Sequence, residues 1–302
     1  MRTVYLGTSE FAATVLDRLA ASPHAPALVV SRPDRRSGRG RRVSPPPVVE
    51  RARALGIETF QPERVNEPDA LARIAAAEPE AACVCAYGAI LGDELLAAHT
   101  WLNVHPSLLP RWRGAAPIER AIEAGDAETG VAIMEPVAEL DAGPVYAVRR
   151  EPIRPEDDYG TLAARLAAIG GDLLVECLDG VPEPRPQGAE GVTYAEKIDR
   201  AERLLDPALA PDALLRRLRA LTPHVGVHVE PDGLDRLGVV AARLAGPDDA
   251  APAPGALAVA EGRLLYGAAG GALELLEVKP AGGRPMPAAD FLRGQGRGLA
   301  AP

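Results

Sequence analysis

The sequence is poor in cysteine, lysine and aromatic side chains. Its three cysteines, Cys83, Cys85 and Cys177, are too few for a disulfide framework or a set of metal ligands. Cys83 and Cys85 stand in an apolar run, where we expect small buried side chains. Lysine occurs only at Lys197 and Lys279, so arginine carries most of the positive charge. The composition therefore predicts neither a metal centre nor a disulfide-based fold.

Long apolar runs are also missing. No run reaches the roughly 18 residues that a membrane-spanning helix needs. The first seven residues hold too short an apolar core for a signal peptide and lead into a charged helical pattern. We therefore expect a cytoplasmic protein with no membrane partner. The net charge of −9 excludes a protein that is basic overall, but it is compatible with a local basic patch.

One basic segment interrupts this acidic sequence. Residues 32–42 contain a single acid, Asp34, and six arginines: Arg32, Arg35, Arg36, Arg39, Arg41 and Arg42. Two interpretations remain open from the residues alone. The segment is either a solvated surface loop or a site for an anionic partner, because arginine binds phosphate through two N–H groups at once.

Strands and helices alternate in the first part of the chain. The pattern predicts strands at 3–7, 27–30, 81–87, 101–105, 131–136 and 144–150, and helices at 11–21, 47–55, 68–77, 93–98, 116–124 and 159–179. Such alternation is typical of an α/β fold with a Rossmann-like, mostly parallel sheet. Gly7 follows the first strand, but a single glycine is not a dinucleotide fingerprint. The alternative is a tight turn in which Thr8 or Ser9 caps the next helix.

The pattern changes after residue 179. Glycine and proline crowd residues 180–188, as is typical of a linker. A helix at 213–220 is followed by short strands at 225–230, 237–244, 256–260, 263–267 and 272–278, which predicts a small, OB-like β-barrel. We expect a catalytic domain over residues 1–186, a linker over 187–203 and the β-barrel domain over 204–302.

Asn103 and His105 are the candidate catalytic residues. They lie on one face of the predicted strand 101–105, because side chains alternate along a strand. Ligands bind beyond the carboxyl ends of strands in open α/β sheets. An asparagine N–H can stabilise an oxyanion, and a histidine can donate or carry a proton. Asp141 is the candidate third partner, although spacing alone does not bring it to His105.

These residues resemble the formyltransferases that use 10-formyltetrahydrofolate. The resemblance rests on Asn103-x-His105-Pro-Ser-Leu-Leu-Pro, on Gly114 and on Asp141-x-Gly143. The arginine–glycine segment and the run Arg-Trp-Arg-Gly-Ala-Ala-Pro at 111–117 are similar to those of the members that formylate methionyl initiator tRNA. Further matching stretches at 7–12, 45–48, 86–91, 125–131 and 193–197 extend the resemblance over most of the first 200 residues.

The resemblance implies formyl transfer from 10-formyltetrahydrofolate, a cosubstrate, to the α-amine of methionyl initiator tRNA, for translation initiation. Asn103 and His105 would stabilise the oxyanion, while Asp141 would hold His105 as a cation and relay the proton of the amine. The formyltransferase fold, no metal, and a monomer with a tRNA-binding C-terminal domain are expected. The folate site would be lined by Ser107, Leu108, Leu109, Pro110, Ile90 and Leu91. The tRNA would contact Arg35, Arg36, Arg39, Arg41 and Arg42.

Two alternative functions remain. A formyltransferase that acts on glycinamide ribonucleotide or an amino-sugar nucleotide would share the Asn, His and Asp, but it would have no use for the arginine segment. A non-catalytic tRNA-binding protein would use that segment, but it would have no need of all three catalytic residues.

Overall fold

The computed structural model describes residues 1–37, 42–231, 234–247, 249–294, 296 and 299. The α-helices are α1 (Glu10–Ala20), α2 (Pro47–Ala54), α3 (Pro68–Ala75), α4 (Asp93–Ala97), α5 (Pro117–Ala124), α6 (Tyr159–Asp179), α7 (Pro211–Leu221) and α8 (Ala288–Arg293). The strands are β1 (Thr3–Gly7), β2 (Pro26–Val30), β3 (Arg35–Ser37), β4 (Arg42–Ser44), β5 (Thr59–Phe60), β6 (Ala81–Cys85), β7 (Trp101–His105), β8 (Arg113–Gly114), β9 (Glu128–Met134), β10 (Val145–Pro152), β11 (Tyr194–Ala195), β12 (Val227–Val229), β13 (Leu237–Leu244), β14 (Leu257–Ala260), β15 (Arg263–Ala268), β16 (Gly271–Lys279) and β17 (Met286–Pro287). A short 3₁₀ helix covers Ala201–Arg203.

The chain divides into two compact units that interleave in sequence. The first comprises Met1–Pro117, Glu128–Pro152 and Ala163–Glu196, and the second comprises Ile118–Ala127, Ile153–Leu162 and the chain from Lys197 onward. The expected domain boundaries at residues 186 and 204 stay a prediction. Within the described residues, no helix combines the length and apolarity needed to cross a membrane.

The first unit is built on one sheet in the order β10-β9-β7-β6-β1-β2-β5. Neighbouring strands from β7 to β5 run parallel, while β9 runs antiparallel to both β7 and β10. Every residue of β1 and β6 is buried, as expected for central strands that are covered on both faces. The predicted α/β class with a mostly parallel sheet is confirmed.

The turn after β1 has the simpler of its two interpretations. Ser9 caps α1, with its Oγ accepting a hydrogen bond from the Ala12 N–H at 3.3 Å. One face of α1 then buries Val15, Leu16 and Leu19. Cys83 and Cys85 lie fully buried in β6, so the prediction of small buried side chains is confirmed.

The arginine segment departs from the loop expected for it. Residues 35–37 pair antiparallel with residues 42–44, and Arg35 lies opposite Ser44. Three residues on each side are too few for a periodic pattern, so the sequence did not reveal this hairpin. Helix α8, which has six residues, was not predicted either.

The second unit contains an antiparallel sheet in the order β12-β13-β16-β15-β14, with β17 paired to β16. Leu264, Leu273 and Val278 are among its fully buried side chains. The short strands broken by glycine and proline therefore form the small β-rich part that the sequence predicted. Its first strand, Val227–Val229, is shorter than the expected 225–230.

An ion-pair cluster in the second unit predicts a pH effect on stability. Arg120 Nη2 donates to Glu202 Oε1 at 3.0 Å, and this hydrogen bond lowers the pKa of Glu202 from its ordinary value of 4.5. A lowered folded-state pKa stabilises the fold above pH 4.5, and this contribution is lost as the pH falls below it. We expect Glu202→Gln to lower the free energy of unfolding by about 1 kcal/mol at pH 7, and by less at pH 4. Urea unfolding measures the loss in stability at each pH, and Glu190→Gln, at an exposed position, is the control. A loss that is larger at pH 4 than at pH 7 would contradict a stabilising ion pair between Glu202 and Arg120.

Candidate active site

Strand β7 places the two candidate catalytic side chains at the carboxyl edge of the first unit's sheet. Asn103 pairs with Met134 of β9 and with Val84 of β6, so the strand end is held from both sides. His105, the last residue of β7, has a side chain that is only 6% exposed. Asn103 is half-buried and shares its face of the strand with His105.

Both nitrogens of the His105 ring face an acceptor. Nε2 lies 2.9 Å from the carbonyl oxygen of Trp112, and a carbonyl only accepts, so this nitrogen carries a proton. Nδ1 lies 3.6 Å from Asp141 Oδ2. The 3.6 Å separation exceeds hydrogen-bond distance, so the Asp141 contact is not a direct hydrogen bond, whereas the Trp112 contact of Nε2 is one.

Asp141 lies in the loop before β10 and is fixed at both its side chain and its backbone. Oδ2 accepts the Gly114 N–H at 2.8 Å. The Asp141 backbone has a φ of +47°, a left-handed conformation that persists only where the surroundings hold it. Among the contacts of the described residues, the Gly114 and His105 contacts both fall on Oδ2 and not on Oδ1.

The structure brings the candidate catalytic residues together in two ways. Asp141 contacts His105, and Asn103 lies two residues before His105 on the same strand. The side chain of Asn103 makes no hydrogen bond to another described residue. Its amide N–H groups are therefore available for an oxygen of a bound molecule.

The turn after β7 carries the four residues expected to line a folate site. Ser107 is fully buried, and its hydroxyl donates to the Arg111 carbonyl at 2.7 Å, which closes the turn. The Leu109–Pro110 peptide is cis. Leu108, Leu109 and Pro110 are half-buried. Leu109 also lines a groove of about 770 Å³ beside Tyr146 and the 182–188 segment. The Ser107 hydroxyl thus has a structural partner, whereas the leucines offer apolar surface.

The other two expected folate residues follow β6. Since β6 and β7 are parallel neighbours, the loop after β6 lies at the same edge of the sheet as His105. Ile90 is 85% exposed, so its side chain presents apolar surface at this edge. Asn66 fixes its backbone by donating to the Ile90 carbonyl at 3.0 Å and accepting from the Gly92 N–H at 2.8 Å. Leu91 packs against the core instead.

The structure describes only some of the residues that were expected to contact tRNA. The backbones of Arg35, Arg36 and Arg42 lie in the β3–β4 hairpin, with Arg35 exposed. Arg39 and Arg41 lie outside the described residues. The hairpin belongs to the first unit, as does the candidate active site.

Several groups that orient His105 and Asp141 were not predicted from the sequence. The Trp112 carbonyl orients His105, and the Trp112 N–H itself donates to Thr193 Oγ1 at 2.9 Å. The Gly114 N–H fixes Asp141, and Gln187 donates to the Asp141 carbonyl from 46 residues away. Backbone groups have no sequence signature, and nothing marks Gln187 within a segment rich in proline and glycine.

Comparisons with known proteins match both parts of the chain. The family model described as formyl transferase matches residues 1–178, and the one described as formyl transferase, C-terminal domain, matches residues 197–296. The chain is 44% identical over 304 residues to a methionyl-tRNA formyltransferase of Thermobifida fusca, covering 97% of this chain and 96% of the relative. The chain belongs to the methionyl-tRNA formyltransferase family.

Other members of the methionyl-tRNA formyltransferase family are equally similar. The Paracoccus denitrificans protein is 45% identical over 302 residues, with 97% of each chain covered. The Thermus thermophilus protein is 44% identical over 301 residues, covering 98% of this chain and 97% of the relative. The resemblance drawn from the motifs is therefore confirmed, and the chain is a transferase.

Solved structures of this formyltransferase fold extend beyond the family. HypX from Aquifex aeolicus in complex with tetrahydrofolic acid superimposes with a TM-score of 0.65 at 18% identity, covering 100% of this chain and 48% of HypX. A methionyl-tRNA formyltransferase from Clostridium thermocellum gives 0.60 at 14% identity, with 82% and 95% covered. At these identities the likeness shows the fold alone.

Proposed function

We propose that this protein transfers the formyl group of 10-formyltetrahydrofolate to the α-amine of methionyl initiator tRNA, for translation initiation. The observation that carries the proposal is the group of Asn103, His105 and Asp141 at the carboxyl end of β7, with His105 Nδ1 and Asp141 Oδ2 3.6 Å apart. The family supports the choice of substrates. We also propose that the protein works as a monomer in the cytoplasm, where charged initiator tRNA is used.

Asn103 and His105 act on the oxygen of the formyl group. When the amine attacks the formyl carbon, this oxygen gains negative charge. The amide N–H of Asn103 and the Nδ1–H of His105 then donate to it, and such donors typically account for roughly 100- to 1000-fold in rate each. Burial of His105 strengthens its electrostatic interaction with the oxygen, because little water screens it.

Asp141 handles charge and the proton. Its carboxylate faces His105 at 3.6 Å, so it stabilises the positive charge of a cationic ring that donates to the oxyanion. Its Oδ1, which neither the Gly114 nor the His105 contact uses, accepts the proton that the attacking amine loses, directly or through a water. The bond from the formyl carbon to N10 of the folate then breaks, and N10 takes up one proton, so the protons balance.

The folate is held by the loops that follow β6 and β7. A pterin needs apolar walls and backbone hydrogen bonds. Ile90 supplies an exposed apolar side chain on a backbone clamped by Asn66, and Leu108 and Leu109 supply apolar surface from the next loop. The residues present therefore fit the cosubstrate.

The tRNA is held by the arginine segment. Arg35 is exposed at the base of the β3–β4 hairpin, and arginine binds phosphate through paired N–H groups. We propose that Arg35, Arg36, Arg39, Arg41 and Arg42 together bind the acceptor stem. The C-terminal part of the second unit, from Lys197 onward, adds further contacts to the tRNA by charge and shape.

The acceptor decides between this proposal and its alternative. Purified protein is given 10-formyltetrahydrofolate with methionyl initiator tRNA and glycinamide ribonucleotide in the same reaction. We expect formyl transfer to the charged tRNA alone. Transfer to the small amine alone would leave the chemistry of Asn103, His105 and Asp141 in place but would overturn the proposed acceptor.

Gly143 provides a prediction about the loop that carries Asp141. A Cβ at this position would lie 1.8 Å from the Glu135 carbonyl oxygen, so Gly143→Ala must displace the loop. We expect kcat for formyl transfer to fall roughly 100-fold, because displacement of a reacting group by about 1 Å has effects of this size. Gly188→Ala is the control, since its Cβ would meet no atom within 4 Å. A wild-type kcat in the Gly143 variant would show that formyl transfer does not depend on the position of the loop that carries Asp141.

A further inference from the structure

Gln187 uses its whole side-chain amide to connect two parts of the active-site support. Its Nε2 donates to the carbonyl oxygens of Asp141 and Gly143, both at 2.8 Å. Its Oε1 accepts from Arg113 Nε at 3.1 Å and from Arg113 Nη2 at 2.9 Å. Both N–H donors and the carbonyl oxygen are therefore engaged, which fixes the orientation of the amide.

Both hydrogen-bonding partners of Gln187, the 141–143 loop and Arg113, help to position Asp141. On one side, Gln187 holds the backbone carbonyls of the loop in which Asp141 adopts its left-handed conformation. On the other side, it holds Arg113, whose neighbour Gly114 donates its N–H to Asp141 Oδ2 at 2.8 Å. Backbone and carboxylate of Asp141 are thus set by groups that a single side chain connects.

The left-handed conformation of Asp141 needs such support. A non-glycine residue with φ near +47° costs on the order of 1–3 kcal/mol relative to an ordinary conformation. The two hydrogen bonds from Gln187 fall on the carbonyl of this strained residue and on that of Gly143, so they hold the backbone that leaves Asp141. Without them the loop would relax, and Oδ2 would leave His105 and the Gly114 N–H.

We propose that Gln187 is a positioning residue for formyl transfer, which acts by fixing Asp141 against His105. The assignment rests on the proposed function, and it adds a residue outside the Asn-His-Asp group. Gln187 touches none of the reacting atoms. Its contribution is to kcat, because it places the group that receives the proton.

Gln187→Glu separates the two halves of this connection. The variant keeps an oxygen acceptor for Arg113, but it replaces the N–H donor with an oxygen that faces two carbonyl oxygens. We expect kcat to fall roughly 10- to 100-fold, while KM for the folate and for the tRNA stays within about twofold of wild type. In the Asp141→Asn background the same change should lower kcat by less than about twofold further, because contacting residues that act as a unit are not additive.

Hydrogen exchange gives a readout that needs no substrate. The Gly114 amide hydrogen should exchange faster in Gln187→Glu than in wild type, at an unchanged urea midpoint, because its acceptor has moved. Glu139→Gln is the control, since the exposed Glu139 contacts Arg113 Nη1 but leaves the Gln187 amide intact. If Gln187→Glu does not fold, Gln187→Asn, which is uncharged but one methylene too short, takes its place.

The outcomes separate this inference from the proposed function. Two results together support the proposed function and the role of Gln187. The wild-type protein formylates methionyl initiator tRNA, and the Gln187→Glu variant has a lower kcat and faster Gly114 exchange. Wild-type activity with an unchanged kcat in the variant, or with effects that add fully to Asp141→Asn, overturns the role of Gln187 alone. Loss of activity explained entirely by a lower urea midpoint also overturns it. Faster Gly114 exchange in a protein that formylates no tRNA would overturn the proposed function instead.

Discussion

Asp141→Asn should lower kcat for formyl transfer by roughly 100- to 1000-fold, the range typical of a lost transition-state contact. The amide keeps an oxygen for the Gly114 N–H, which Asp141 accepts at 2.8 Å, so the loop should retain its position. What is lost is the negative charge that faces His105 at 3.6 Å and the basic oxygen that receives the proton of the amine. Steady-state kinetics with both substrates saturating measure the effect.

Asp172→Asn is the matched control for this prediction. Asp172 carries a half-exposed carboxylate in the same unit and pairs with Arg18 at 3.7 Å. It should turn over at the wild-type rate, with the same KM for each substrate. An Asp141→Asn variant that keeps more than about a tenth of the wild-type kcat would remove this carboxylate from the mechanism, whatever the control does.

Arg39→Ala should raise KM for methionyl initiator tRNA by roughly 10- to 100-fold, as expected for the loss of a charge-assisted hydrogen bond of about 1.5–3 kcal/mol, and leave KM for the folate unchanged. The residue lies outside the described part of the chain, between Gly38 and Gly40 of the sequence. Because a lost phosphate contact also reduces counterion release, the salt dependence of tRNA use should become shallower.

Arg53→Ala controls for a general loss of positive charge. Arg53 is exposed on α2 in the same unit. It should leave KM for the tRNA and its salt dependence near wild type. Equal loss of folate and tRNA use in Arg39→Ala would point to misfolding and would remove the arginine segment from tRNA recognition.

The sheet was predictable because burial leaves a simple signal. Central strands such as β7 are short apolar runs bounded by turn residues, and its observed bounds, Trp101–His105, are those predicted. The pairing of Asn103 with His105 on one face follows from strand periodicity alone. The hairpin at Arg35 was not predictable, since three-residue strands carry no period.

The approach of Asp141 to His105 could not be predicted from the residues without the family. It depends on a left-handed backbone at Asp141, on the Gly114 N–H and on the carbonyl of Trp112. None of these is a side-chain pattern. Gln187 illustrates the same limit, because its partners lie 44 to 74 residues away and the proline–glycine punctuation around it indicates only a linker.

Formylation of methionyl initiator tRNA by the purified protein, compared side by side with its His105→Ala variant, is the measurement that tests the central claim most directly. With 10-formyltetrahydrofolate as donor, we predict N-formylmethionyl-tRNA from the wild type and at least about a 100-fold lower rate from the variant at an unchanged urea midpoint. No product from the folded wild-type protein would contradict the proposed function. Equal turnover by the two proteins would contradict the active site built on β7.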